Sequence, residues 1–245
     1  MKKDKKRLDT LALAQHPHLS RNQIQSFIMQ GKVSIEGVIV SKAGAQFYDD
    51  ILVTLDQEQP KFVSRAGFKL EAALDEFKLD VTDFICMDAG ISTGGFSDCL
   101  LQRGAKRIYG VDVGYNQVHE KVSTNPRVKL LEKTNLRLLP SLPEMIDLAT
   151  LDLSFISLLK IIERVDTFIK PDGHIIALIK PQFEADRKDI GRGGLVSNPA
   201  VHEAVIAKIK DGFERCGFEM QGIIDSPILG AASGNKEFLA LFKRF

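Results

Sequence analysis

The spacing of apolar and polar positions changes character near residue 60. Before it, the elements are short. Leu8 to Ala14 reads as a short helix. Ser20 is placed to cap a second helix over 21–30, and Gly31 to stop it. Ile24, Phe27 and Ile28 then share one core-facing side. Val33-Ser-Ile35, Glu36-Gly37 and Val38-Ile-Val40 predict a tight hairpin, because the glycine supplies the positive φ of its turn. Another short strand is expected over 51–55. These elements predict a small α+β domain over 1–55. The polar stretch Asp56-Gln-Glu-Gln-Pro60 predicts a linker over 56–61.

Beyond it, apolar runs at 84–87, 107–111, 128–131, 148–151 and 175–179 alternate with helical stretches. Those helices are expected near 95–103, 157–169 and 199–216. The alternation predicts an α/β domain over 62–245, with a Rossmann-like, mostly parallel sheet. Two last runs, 218–224 and 237–242, have no helix between them. They are expected to pair as an antiparallel hairpin at one edge.

Composition narrows the class. Apolar residues make up 44% of the 245, enough for a sizeable core. No apolar run is long enough to span a membrane, and the N-terminus lacks the pattern of a secretion signal. Cys86, Cys99 and Cys216 are few and scattered, which fits reduced thiols in a cytoplasm and no metal site. Lys+Arg number 33 against 32 Asp+Glu, yet the cations are unevenly placed. Lys2, Lys3, Lys5, Lys6, Arg7, Arg21, Lys32 and Lys42 crowd the first domain, the footprint of a nucleic-acid-binding module or of a solvated basic tail.

A Gly-rich segment, Asp88-Ala-Gly90-Ile-Ser92-Thr93-Gly94-Gly95-Phe96, follows the first strand of the second domain. Glycines between a strand and a helix let a ligand approach the backbone and the free N–H groups of the helix start. Asp112, ending the next strand, can accept both hydroxyls of an adenosine ribose. These features fit S-adenosylmethionine or a dinucleotide. The spacing is not G-x-G-x-x-G, which leans away from NAD, and no P-loop occurs.

Asp152 and Lys180 end the fourth and fifth strands, the side of an open α/β sheet where ligands lie. A lysine closing an apolar strand is shielded from water and is a candidate general base. Paired to a carboxylate, it could equally be a solvated strand-end residue.

Here the residues resemble a family. The second domain resembles the FtsJ/RrmJ-type RNA 2′-O-ribose methyltransferases, whose Lys-Asp-Lys-Glu signature falls on Lys69, Asp152, Lys180 and Glu237. The first is similar to S4 RNA-binding domains at Arg7-Leu8-Asp9, Ser20-Arg21, Ile28 with Gly31-Lys-Val33, and Glu36-Gly37 with Lys42. Together, in this order, they resemble the TlyA family, whose members are often called haemolysins. One departure is Ala66-Gly67, where the family often has Gly-Gly.

The resemblance implies methyl transfer from S-adenosylmethionine to a ribose 2′-hydroxyl of ribosomal RNA, with a cytidine as the usual target and no metal. Lys180 would take the hydroxyl proton. Asp152 would hold Lys180, while Lys69 and Glu237 would orient the hydroxyl. Asp88, Gly90, Ser92, Thr93, Gly94, Gly95, Phe96, Asp112, Val113, Asn135 and Asp152 would bind the cofactor. Lys5, Lys6, Arg7, Arg21, Lys32, Lys42, Arg65, Arg187, Lys188 and Arg192 would bind RNA. Glu237 is expected to open an edge strand. The polar segment 183–198 is expected to be a mobile loop beside Lys180. With no aromatic ladder in the sequence, RNA affinity should come mainly from phosphate contacts. Competing readings are an inactive RNA-binding protein, a membrane-damaging protein and a small-molecule methyltransferase.

Overall fold

The computed structural model describes residues 5–56, 61–230 and 234–245. Lys2, Lys3 and most of the expected linker therefore lie outside the described residues. The chain divides into two compact units, Met1–Lys61 and Phe62–Phe245.

In the first unit, strand β1 (Lys5–Arg7) leads into helix α1 (Leu8–Gln15), followed by α2 (Arg21–Met29). Ser20 caps α2 reciprocally: Gln23 N donates to Ser20 Oγ, and Ser20 N donates to Gln23 Oε1. Strands β2 (Val33–Ile35) and β3 (Val38–Ile39) form the expected hairpin. Glu36 and Gly37 both take positive φ, +51° and +80°, which matches the twist of the strands they join. β4 (Gln46–Tyr48) pairs with β1, and β5 (Val53–Leu55) pairs with β2. Leu8, Leu11, Ile24, Ile28, Val33 and Val53 make the core, and Phe27 packs against it.

The second unit opens with α3 (Ala66–Glu76) and continues with β6 (Ile85–Ala89), α4 (Gly95–Gln102), β7 (Arg107–Val111), α5 (Glu120–Ser123), β8 (Val128–Leu131) and β9 (Ile146–Leu151). Then come α6 (Ile162–Asp166), β10 (Ile169–Ile179), α7 (Pro181–Glu184), α8 (Pro199–Glu214), β11 (Phe218–Asp225) and β12 (Phe238–Arg244). Seven strands form one sheet in the order β11-β12-β10-β9-β6-β7-β8, parallel except for β12. Alternate residues of one strand enter opposite cores. Ile175, Ala177 and Ile179 face the side of α6 and α8, whereas Ile176 and Leu178 face the side of α3 and α4. Burial on both faces explains why these strands read as unbroken apolar runs.

Two expectations change. The helix over 157–169 is short: a 3-10 turn at Leu158–Lys160 and then α6. Its expected end belongs to β10, because Ile169 is in register with Ile146 and Ile146 N donates to Phe168 O. The hairpin does lie at the sheet edge, but β12 is not the edge strand. It sits between β10 and β11, so Glu237 adjoins an interior strand and is buried. Among the described residues, no helix is long and apolar enough to cross a membrane.

Candidate active site

The sheet register gathers the four signature residues. Asp152 and Lys180 follow directly on the neighbouring parallel strands β9 and β10. Ile179 pairs with Phe238 across β10 and β12, which sets Lys180 opposite Glu237. Lys180 Nζ lies 2.6 Å from Asp152 Oδ1 and donates to Ser154 Oγ at 3.1 Å. Lys69, on α3, donates to Glu237 Oε2 at 2.5 Å. Two lysine–carboxylate pairs thus stand at one end of the sheet. The Lys69–Glu237 pair is buried, and a buried charge is tolerated only when partnered.

A cleft of about 470 Å³ opens beside Asp152, the size of a small-molecule site. Gly90, Ser92, Asp112, Val113, Asn135 and Asp152 line it. Sequence reading did not foresee Gln117, Thr134, Leu136, Arg137 or the segment 153–156 on its wall. Gly90 is fixed by two constraints. Its φ is +84°, and a Cβ there would meet Asp152 O at 2.4 Å. Asp112 anchors the Gly-rich turn, accepting from Ser92 N at 2.9 Å and Gly114 N at 2.7 Å. Thr93, Gly95 and Phe96 line a smaller adjoining cavity of about 80 Å³, which shares Gly90, Ser92 and Asp152 with the cleft.

Two of the expected cofactor residues also hold the turn and the strands together. Gly94 turns its Cβ position onto Val122 and takes the positive φ (+93°) of the strand-to-helix turn. Asp88 also borders the smaller cavity, but it is buried and already partnered. Ser97 Oγ donates to it at 2.7 Å and Thr150 Oγ1 at 3.1 Å. Burial pushes its carboxyl up to about 6, against those two bonds. Asp88 therefore ties β6, α4 and β9 together beneath the site.

Phe155 also lines the cleft. The residue is 92% exposed at the cleft lip, its φ is +65°, and its ring centroid lies 5.2 Å from that of Phe183. No sequence period marks such a residue. The segment after Phe183, expected as a mobile loop, is tied down at its far end. Asn235 Oδ1 accepts from Val196 N at 2.8 Å, Asn235 Nδ2 donates to Gly194 O, and the His202 ring meets Val196 O. The departure at Ala66-Gly67 is harmless by geometry. A Cβ at Gly67 would strike the Phe62 ring, whereas Ala66 is accommodated as the first residue of α3.

The basic residues fall on both units. Lys5, Lys6, Arg7, Arg21 and Lys42 are exposed in the first. Lys5 Nζ stands over the Tyr48 ring, and Lys6 faces Asp49 at 3.8 Å. Lys32 is less open than expected, half-buried and 3.4 Å from Asp56. In the second unit Arg65 is half-buried before α3, while Arg187, Lys188 and Arg192 are exposed on two 3-10 turns.

This strand order, with the Gly-rich turn and cleft at the ends of the parallel strands, defines a Rossmann-like methyltransferase fold. A solved S-adenosylmethionine-dependent methyltransferase of Aquifex aeolicus shares it at 18% identity, with a TM-score of 0.52 over 73% of this chain and 90% of that one. The FtsJ-like methyltransferase family model matches residues 62–244 and the S4 domain model residues 6–46. YqxC of Bacillus subtilis is 40% identical over 98% of this chain and 86% of its own. The 16S/23S rRNA (cytidine-2′-O)-methyltransferase TlyA of Mycobacterium tuberculosis is 37% identical over 89% of this chain and 82% of its own. A Streptococcus thermophilus chain solved under the name of a hemolysin is 38% identical and superposes with a TM-score of 0.77, over 99% of this chain and 90% of that one. The chain belongs to the TlyA family, an S4 domain followed by an FtsJ-like methyltransferase.

Proposed function

We propose that this chain transfers a methyl group from S-adenosylmethionine to the 2′-hydroxyl of a cytidine in ribosomal RNA, with Lys180 as general base. The observation that carries this reading is the Lys180–Asp152 pair at the mouth of the cleft, with the Lys69–Glu237 pair on the adjoining strand end. The named activity of the M. tuberculosis relative supports it.

The residues at the cleft fit the cofactor. Gly90 leaves no side chain between the turn and Asp152, Asp112 offers carboxylate oxygens for ribose hydroxyls, and Val113 and Leu136 offer apolar walls for a base. When bound there, S-adenosylmethionine supplies an activated methyl group. The protein's part is positioning and proton transfer. A ribose hydroxyl is a poor nucleophile until its proton leaves, and Lys180 Nζ, in its neutral form, accepts that proton. Asp152 and Ser154 fix the position of Nζ. Lys69 and Glu237 hold the hydroxyl for in-line attack, where orientation supplies much of the rate. The exposed ring of Phe155 offers a face on which the target base can stack.

The first unit grips folded RNA through Arg7, Arg21 and the neighbouring lysines, and Arg187, Lys188 and Arg192 add contacts near the site. Such a protein works where ribosomes are made, in the cytoplasm. Transfer of labelled methyl groups to ribosomal subunits tests the reading. Label on a ribose 2′-oxygen that disappears with Lys180→Ala supports it. Label on a base or on protein would refute it.

A further inference from the structure

Two of the arginines assigned above to RNA share one buried carboxylate. Asp9, in the first turn of α1, is fully buried. Arg7 Nε donates to its Oδ1 at 2.9 Å and Arg7 Nη2 to its Oδ2 at 3.0 Å. Arg21 Nη2 donates to the same Oδ2 at 3.2 Å, as does Gln25 Nε2 at 3.2 Å. The arginines come from different elements, the end of β1 and the start of α2, yet meet on one oxygen and so stand side by side. Their side chains remain 50% and 59% exposed. The backbone beneath is fixed as well: Leu8 N donates to Ala45 O and Asp9 N to Ala43 O. The Arg7 guanidinium lies across Gly44, at ordinary contact distance.

The carboxylate has two effects on a polyanion, of opposite sign. It cancels one of two positive charges, which weakens phosphate attraction. It also holds two long side chains in place before binding, which removes part of the ordering cost. A buried carboxylate cannot be left without partners, so the arginines stay folded over it.

We infer that Asp9 is a positioning residue for RNA recognition, pinning Arg7 and Arg21 as a preorganised pair for the phosphates of folded RNA. The inference rests on the reading of Arg7 and Arg21 as RNA contacts.

The test measures binding of the full chain to ribosomal subunits, for Asp9→Asn, Arg21→Ala and the double variant, with melting curves alongside. Charge alone predicts that Asp9→Asn tightens binding, because the unit gains one positive charge. Positioning predicts a loss of roughly tenfold, and a smaller effect of Arg21→Ala in the Asp9→Asn background. Tighter binding by Asp9→Asn, or an Arg21→Ala effect equal in both backgrounds, would overturn the inference. Should Asp9→Asn melt the first unit, Arg7→Lys replaces it, since lysine keeps the charge but cannot make the paired bonds to Asp9. Weaker binding then supports the inference, and unchanged affinity overturns it. An Arg21→Ala protein that binds as well as the parent would instead remove the RNA contact itself, and the inference with it.

Discussion

Glu237 receives a 2.5 Å hydrogen bond from Lys69, a residue 168 positions away in the chain, and both side chains are buried. Breaking such a pair strands a charge, whereas replacing both members by apolar residues does not. Glu237→Leu alone should cost about 3–5 kcal/mol of stability. Glu237→Leu with Lys69→Met should recover most of it. Neither protein should transfer methyl groups. Denaturant titration checks the first half and a transfer assay the second. Activity in the double variant would reduce the pair to a structural role.

Gly90 makes a separate prediction. A Cβ at this position has both the wrong φ and no room beside Asp152 O. Gly90→Ala should displace Asp152 and lower cofactor affinity and transfer together, with a stability loss of about 1–3 kcal/mol. Gly193 also has a positive φ, +72°, but open space around it. Gly193→Ala should strain the backbone and leave cofactor binding intact. Calorimetric titration of S-adenosylmethionine into both proteins separates the two.

Stability should depend on pH through Asp88. Its folded value of about 6 lies above the unfolded value of 3.8. The protonated carboxyl is therefore favoured by folding. That contribution is complete below the unfolded value and is lost as pH rises through 6. The second unit should gain about 1–2 kcal/mol from this group between pH 7.5 and pH 5. Asp88→Asn should flatten that part of the profile. An unchanged profile would show that Asp88 is not the group responsible.

Phe155 separates substrate recognition from folding. Its ring is exposed, so Phe155→Ala should leave the melting temperature nearly unchanged. Loss of a stacking face is worth about 1–3 kcal/mol per base, so transfer to ribosomal subunits should fall by roughly 10- to 100-fold. Equal activity would remove the ring from base recognition.

Some of this architecture was legible in the sequence, and the reasons are local. Ile175 to Ile179 is apolar because both faces of β10 are covered, so the run marks an interior strand that Lys180 directly follows. Glu36-Gly37 names its own turn. Helix α3 was missed although Leu70, Ala73 and Leu74 carry its period, and with it the platform for Lys69. β1 and β4 are three residues each, and Lys5 to Arg7 reads as a charged tail until it pairs with Gln46 to Tyr48. Burial of Glu237 could not be read, because it depends on β12 entering the sheet between β10 and β11. The cleft wall at 134–137, where a loop enters the one-turn 3-10 helix Leu136–Leu138, and at Phe155 follows no strand or α-helix period. The anchoring of 194–196 by Asn235 joins residues distant in sequence.

The most direct test uses ribosomal subunits that lack the modification, purified protein and labelled S-adenosylmethionine, with Lys180→Ala beside the parent. The parent should place label on a cytidine 2′-oxygen. Lys180→Ala should bind the cofactor as the parent does and lose at least about 100-fold in transfer. A Lys180→Ala protein that methylates at the parent rate would contradict the account.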